Sequence, residues 1–319
     1  MTRIAPADEA AIAEGAAILR AGRLVGMPTE TVYGLAGLAT SDAAVAAIYA
    51  AKGRPTFNPL IAHFASLADA VREVRFDPRA TRLAQAFWPG PLTIVAPVAP
   101  GCRVSLLARA GLDTLAVRVP GCDVARALIA ATGAPLAAPS ANRSGAVSPT
   151  RPEHVLADLD GRIDLILDAG PCRLGLESTV VACLDGTVRL LRPGGVTREE
   201  IEAALGERLT DAAANQTPIA PGALASHYAP RAELRLDALT LPDGAAALDF
   251  AGQLTGAGGL RLDLSPSGDL GQAAAQLFSH LRALDASGVT IIVVAPIPQQ
   301  GLGAAITDRL RRAAAPRDS

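Results

Sequence analysis

Two periods alternate along the first 206 residues. Short apolar runs rich in β-branched residues predict strands over 23–27, 59–64, 92–98, 114–119, 135–138, 164–168, 179–184 and 187–191. Apolar stripes at helical spacing predict helices over 7–21, 41–51, 66–74, 78–87 and 122–132. Thr150-Arg151-Pro152-Glu153 and Thr197-Arg198-Glu199-Glu200 read as capping boxes that open two more, the second ending near Leu205. Ser41 or Asp42 caps one helix, and Gly53-Arg54-Pro55 stops it. From about Gly206 the period fades into a stretch of small residues and proline, TDAAANQTPIAPGALASHYAP, which reads as a linker. A second alternation follows: strands over 232–236, 246–250 and 289–294, helices over 270–284 and 303–312. The chain therefore divides into a mixed α/β unit over 1–206, a linker over 207–230 and a small open-sheet α/β unit over 231–319.

Composition narrows the function classes. The chain is 50% hydrophobic and 19% charged, a globular balance, with only 3% aromatic residues, so small aliphatics must fill the core. A net charge of −2 excludes a polyelectrolyte binder over the whole chain and leaves room for a local basic patch. The four cysteines form no C-x-x-C pair and the four histidines are scattered, which argues against a zinc cluster. The first residues lack the apolar core of a signal peptide, and no apolar run approaches the ~20 residues that span a bilayer. The expectation is a soluble, cytoplasmic protein.

Polar clusters recur where predicted strands meet loops. Thr29-Glu30-Thr31 follows the first strand; Lys52-Gly53-Arg54 and Asn58 precede the second, which ends at His63. Lys52 is the only lysine in the chain. Two readings of it are open: a cation at a solvated helix end, or one partner in an anion site that also uses arginine forks. Thr114 and Arg118 flank another strand; Ser140, Asn142, Ser144 and Ser148 share a loop; Glu177-Ser178-Thr179 and Arg192-Pro193-Gly194-Gly195 flank the last two strands of the unit. Four cations, several hydroxyls and a glycine-bearing loop suit a polyphosphate. No P-loop, G-x-G-x-x-G or G-x-S-x-G motif is present, and no nucleophile–base–orienter set argues for a covalent intermediate.

PTETVYGL, KGRP followed by NPL, FWPGPLT, PSAN with SG, ESTV and LRPG occur in that order. Together they resemble the YrdC-type threonylcarbamoyl-AMP synthases, and the trailing unit behind HYAP resembles the longer, two-domain form of that family. The resemblance implies a twisted, mostly parallel α/β sheet around a concave basic groove, with a smaller Rossmann-like domain behind it. It implies condensation of L-threonine, bicarbonate or CO2, and ATP into threonylcarbamoyl-AMP with release of pyrophosphate. A separate tRNA threonylcarbamoyl transferase would use the product. Mg²⁺ would arrive with ATP, and no protein metal site is implied. By motif, Lys52 and Arg54 would be catalytic. Thr31, His63, Arg118, the backbone at Ala138 and Ser178 would meet threonine. Arg54, Asn58, Thr114, Ser140, Asn142, Ser148, Arg192 and Tyr228 would meet ATP, with Tyr228 reaching over from the linker. The family's linker opens Ser-Pro-Gly-Met; here Ala220-Pro221-Gly222-Ala223 stands instead. The alternative from another class is a non-catalytic RNA-binding protein with a basic groove, tRNA included. Near-neutral charge and few stacking residues count against it.

The first two clusters pose a geometric problem. A helix over 41–51 is about 16 Å long at 1.5 Å per residue. In a plain strand–helix–strand unit, Thr31 and Lys52 would lie at its opposite ends. They meet only if residues 28–40 form an ordered loop that folds back across the sheet.

Overall fold

The computed structural model describes residues 1–211 and 227–316. Most of the linker, including Ala220-Pro221-Gly222-Ala223, lies outside them. One sheet of eleven strands runs, in spatial order, Arg3–Pro6, Leu165–Asp168, Val25–Met27, Gly34–Leu38, Leu136–Ala137, Ile61–His63, Thr114–Arg118, Leu92–Pro97, Thr179–Leu184, Thr187–Arg192 and Thr210–Asp211. A second sheet places Glu233–Arg235, Ile291–Val294, Ala246–Asp249 and Arg261–Asp263 side by side, all parallel. The parallel character expected from the sequence holds over both sheets together. The larger sheet alone is mixed, because hairpins such as Val25–Met27 with Gly34–Leu38 add antiparallel ladders.

The predicted elements form with small changes at their ends. Glu9–Arg20 begins at Asp8, whose carboxylate accepts from the Ala11 N–H at 2.8 Å. Pro78–Phe87 and Thr179–Leu184 match their predicted ranges. Thr197 and Glu200 do form a capping box: each accepts from the other's backbone N–H, at 3.2 and 2.7 Å. Thr197→Ala should therefore lower the melting temperature by about 2 °C, the effect of losing one cap worth about 1 kcal/mol, read by circular dichroism.

Three kinds of expectation change. The helix over 66–74 shrinks to Leu67–Ala70, one turn closed by Val71. Strands Arg3–Pro6, Gly34–Leu38, Thr210–Asp211 and Arg261–Asp263 were not foreseen, and Thr210–Asp211 falls in the range expected to be linker. The capping box at Thr150 does not form: Pro152–Leu159 opens after Arg151 with no side-chain cap. Instead Thr150 Oγ1 shares a hydrogen bond of 2.9 Å with Ser279 Oγ on the helix Leu270–Ala286 of the second unit. A tertiary partner has replaced a local one.

That contact is part of a joint between the two units. Val32, Val147 and Leu176 of the first share an apolar cluster with Phe278, Leu277 and Tyr228. Arg282 pairs with Asp158 at 2.6 Å. Gly175 packs so closely on Leu270–Ala286 that a Cβ would sit 2.6 Å from the Ala274 carbonyl oxygen, and its φ of +68° also suits glycine alone. Among the described residues no helix is long and apolar enough to cross a membrane.

Candidate active site

The hairpin solves the geometric problem. Gly34–Leu38 runs away from the Thr29–Thr31 turn, and the helix Asp42–Lys52 runs back. Five extended residues and eleven helical ones each cover about 16 Å, so Lys52 returns to the level of the turn. Residues 28–40 are therefore ordered as expected, but five of the thirteen, Gly34–Leu38, are strand rather than loop. Gly53 ends the helix at φ +62°. Lys52 Nζ then donates to the carbonyls of Ser140 and Asn142, both at 2.5 Å, while the Ser144 N–H bonds the Lys52 carbonyl at 2.8 Å. The polar loop after Leu136–Ala137 is thus fastened to the helix end.

The turn itself is closed by Thr29. Its hydroxyl accepts from the Thr31 and Val32 N–H groups at 3.2 Å each and lies 2.8 Å from Thr31 Oγ1. Thr31 Oγ1 in turn accepts from Arg118 Nη1 at 3.0 Å. Arg118 stands at the end of Thr114–Arg118, beside His63 in the parallel register. Its other amine meets Glu30 Oε1 at 2.6 Å, and Nε reaches the Gly90 carbonyl at 3.2 Å. The Arg118 fork is thus already shared with Glu30. Burial pushes the Glu30 carboxyl up; Arg118, together with the backbone N–H groups of Gly121 and of Glu30 itself, more than reverses this and holds it below the usual range.

Thr31, Val32, Arg54, Ile61, His63, Arg118, Ala138, Ser140, Glu177, Ser178, Arg192, His227 and Tyr228 line one narrow cleft. It encloses about 510 Å³ of space, open solvent at its mouth included. Arg192 Nε and Nη2 both donate to the Ser178 carbonyl, at 3.2 and 2.9 Å. Ser178 Oγ shares a hydrogen bond of 2.7 Å with Thr93. Arg54 donates to the carbonyls of Asn58 and Pro59. Lys52, Arg54 and Arg192 are each at most 9% exposed, and among the described residues none has a carboxylate in ion-pair distance. Burial, then the charge of Arg54, drops the Lys52 pKa well below its usual value. Burial likewise lowers Arg54 to about 10 and pulls Arg192 down. Burial and Arg118 push His63 to about 3, so it is neutral, with Nδ1 3.2 Å from the Ile61 carbonyl.

The wall at Ser178 depends on Gly194. A Cβ there would lie 2.4 Å from both the Glu177 carbonyl oxygen and the Thr179 nitrogen. Gly194→Ala should force these two loops apart, destabilising the protein by about 1–3 kcal/mol as overpacking does. A denaturant melt checks this; unchanged stability would mean the loops are slack.

Two family models match the chain. Residues 17–194 match the Sua5, YciO and YrdC family, described as telomere recombination, and residues 196–315 match the C-terminal domain of threonylcarbamoyl-AMP synthase. The threonylcarbamoyl-AMP synthase of Bacillus subtilis is 41% identical over 95% of this chain and 92% of its own length. That of Pyrococcus abyssi is also 41% identical, over 96% and 94%. The crystal structure of P. abyssi Sua5 complexed with L-threonine superposes with a TM-score of 0.89 at 37% identity, over 98% of this chain and 97% of that one. The chain belongs to the threonylcarbamoyl-AMP synthase family.

Of the residues that the motifs assign, the cleft gathers Thr31, Arg54, His63, Arg118, Ala138, Ser140, Ser178, Arg192 and Tyr228. The others stand outside its lining. Lys52 and Asn142 are buried behind Ser140. Ser148 is buried behind Glu177, donating to its Oε1 at 2.5 Å. Asn58 lies beneath Arg54, and Thr114 sits at the far end of its strand from Arg118, about 13 Å away at 3.3 Å per residue. Asn58 Oδ1, Thr114 Oγ1 and Asn142 Oδ1 are buried and make no hydrogen bond within the described protein. Glu30, Glu177 and His227 belong to the site and were not singled out for it. Glu30 stands beside Thr31, which was, so its charge was the available signal. Glu177 bonds two side chains, Ser148 and Arg309. Among the described residues no group of three or more His, Cys, Asp or Glu side chains could hold a metal ion.

Proposed function

We propose that this chain condenses L-threonine, bicarbonate or CO2, and ATP into threonylcarbamoyl-AMP, releasing pyrophosphate, in the cytoplasm. The product would serve a separate tRNA threonylcarbamoyl transferase. The observation that carries the reading is the set of three buried cations that, among the described residues, have no carboxylate within ion-pair distance, Glu177 acting on Arg192 only from further off. Buried charge is costly unless paired, so Lys52, Arg54 and Arg192 call for an anion with several negative oxygens, and the triphosphate of ATP supplies it. The unbonded polar atoms of Asn58, Thr114 and Asn142 fit the same ligand. Threonine takes the Arg118 end, where Thr31, His63, the Ala138 backbone and Ser178 are within reach. ATP extends away from it along Arg54, Ser140 and Arg192, with Ser148 behind Glu177 and Tyr228 closing over.

In this arrangement Arg118 receives the threonine carboxylate, sharing its fork with Glu30. Neutral His63 removes no charge from that pair. Thr31 and Ser178 read the substrate hydroxyl. The unprotonated threonine amine bonds the carbon of CO2 and gives up one proton to solvent; an oxygen of the resulting carbamate then attacks the α-phosphorus in line, and the bond from that phosphorus to the bridging oxygen breaks so that pyrophosphate leaves. Lys52, Arg54 and Arg192 stabilise the charge that grows on the leaving group. Positioning and fixed charge supply the rate, as in other phosphoryl and nucleotidyl transfers. The donor set holds no dedicated cation cage, so Mg²⁺ fits only as a companion of the phosphates, whose charge it would offset.

The test is pyrophosphate release from ATP, run with and without L-threonine and with and without bicarbonate. Release that needs both is the expected result. Release indifferent to threonine, or RNA binding with a steep salt slope and no turnover, would defeat the reading.

A further inference from the structure

Arg309 is the largest fully buried side chain, at 0% exposed, and it comes from the helix Leu302–Ala314 of the C-terminal unit. Each of its nitrogens is engaged. Nε donates to Glu177 Oε2 at 2.8 Å, Nη1 to Asp308 Oδ2 at 2.5 Å, and Nη2 to the Pro193 carbonyl at 2.9 Å. Its guanidinium carbon lies 5.4 Å from the centre of the Tyr228 ring. Three of these four partners belong to the cleft or adjoin it: Glu177 and Tyr228 line it, and Pro193 follows Arg192. Glu177, held from behind by Arg309, accepts the Ser148 hydroxyl with its other oxygen. Burial pushes the Glu177 carboxyl up, and Arg309 with Arg192 more than reverses this, so it stays ionised.

A joint between domains does not require such a residue. The shared apolar cluster around Phe278 and the Arg282–Asp158 pair already fasten the units, and a buried ion pair adds little stability over apolar side chains of the same volume. What Arg309 adds is geometry: one planar fork fixes the loop of Ser178, the loop of Arg192 and the face of Tyr228 at once. We propose that Arg309 is a positioning residue for the nucleotide, through which the C-terminal unit sets the affinity of the cleft for ATP. The proposal rests on the reading of the cleft as an ATP site. It predicts a selective effect, because the threonine end at Thr31, His63 and Arg118 makes no contact with Arg309, and Ser178 keeps its separate bond to Thr93.

The experiment compares ATP and L-threonine binding by calorimetry in the full chain for wild type, Arg309→Lys, Arg309→Met and the double variant Glu177→Gln/Arg309→Met. The double variant removes both buried charges together, so no charge of the pair is left unpartnered, and it keeps the test open if Arg309→Met alone proves too unstable. The expected result is ATP binding weakened about ten-fold or more in the folded double variant, with a smaller loss in Arg309→Lys, which keeps charge without the fork. L-threonine affinity should change less than about three-fold, and the KM for ATP in pyrophosphate release should rise more than kcat falls. ATP affinity unchanged in both variants, or ATP and threonine weakened in step, would overturn the proposal. Wild type that binds ATP but releases no pyrophosphate defeats the assigned reaction alone, and the affinity comparison still judges Arg309. Wild type that binds no ATP defeats both.

Discussion

Lys52→Ala is expected to lower threonylcarbamoyl-AMP formation by about 10²–10³-fold, the scale of removing one preorganised charge donor from a transition state. The sequence suggests that the variant would leave the fold untouched, and the structure changes that expectation. Lys52 Nζ bonds two carbonyls of the loop that carries Ser140 and Asn142. Removing it leaves both oxygens buried without a partner, at about 1–3 kcal/mol each. The variant should thus be destabilised as well as inactive, while remaining folded if the protein has an ordinary reserve of about 5–15 kcal/mol. Lys52→Met drops the charge and the donors but keeps the apolar stem, so it shows how much of the destabilisation of Lys52→Ala comes from the cavity left by the stem. Both variants should show native circular dichroism at 25 °C and a reduced melting temperature. Both should release little pyrophosphate in the presence of threonine, bicarbonate and ATP. Near-normal release from either folded variant would remove Lys52 from the reaction.

Much of this was legible in the residues. Capping at Thr197 depends on side chains three positions apart, so a local pattern suffices for it. The same pattern misled at Thr150, because Ser279, more than a hundred residues away, offered a competing hydrogen bond. Gly34–Leu38 was missed since GLAGL lacks β-branched residues; its pairing with Val25–Met27 and Leu136–Ala137 makes it a strand. The cations of the site were visible as Lys52, Arg54, Arg118 and Arg192, because polar groups at strand ends stand out against apolar runs. The roles of its carboxylates were not. Glu30 and Glu177 take their roles from Arg118 and Arg309, and those pairings join positions 88 and 132 residues apart. No periodicity encodes them. Arg309 is the sharpest case: on the helix pattern it is one more arginine near a C-terminus, and only the packing of two units buries it against Tyr228.

The same burial makes the protein sensitive to acid. His63 and His227 are both pushed to about 3, and His154 to about 4, from an ordinary 6.5. Burial is the first cause in each. Arg118 adds to it at His63 against the pull of Glu30; Lys52, Arg54 and Arg192 add to it at His227 against Glu177; Arg282 and Arg151 add to it at His154. The unfolded chain binds protons at these sites near pH 6.5 and the folded chain does not, so their contribution is intact above 6.5 and is lost as pH falls towards the folded values. At pH 4.5 His63 and His227 are each about two units below the unfolded pKa, a loss of about 2.7 kcal/mol apiece, and His154 adds about 2. The sum, about 7 kcal/mol, is comparable to the whole stability of an ordinary domain. Glu30 and Glu177, held below the usual carboxylate range, pull the same way only at still lower pH. Denaturant melts at pH 5.5 and 4.5 should therefore differ by nearly three protons, about 4 kcal/mol per pH unit. A slope of one proton or less would mean that these histidines are charged in the folded protein. In that case His63 would bring a positive charge beside Arg118, and the threonine end of the cleft would need a different electrostatic account.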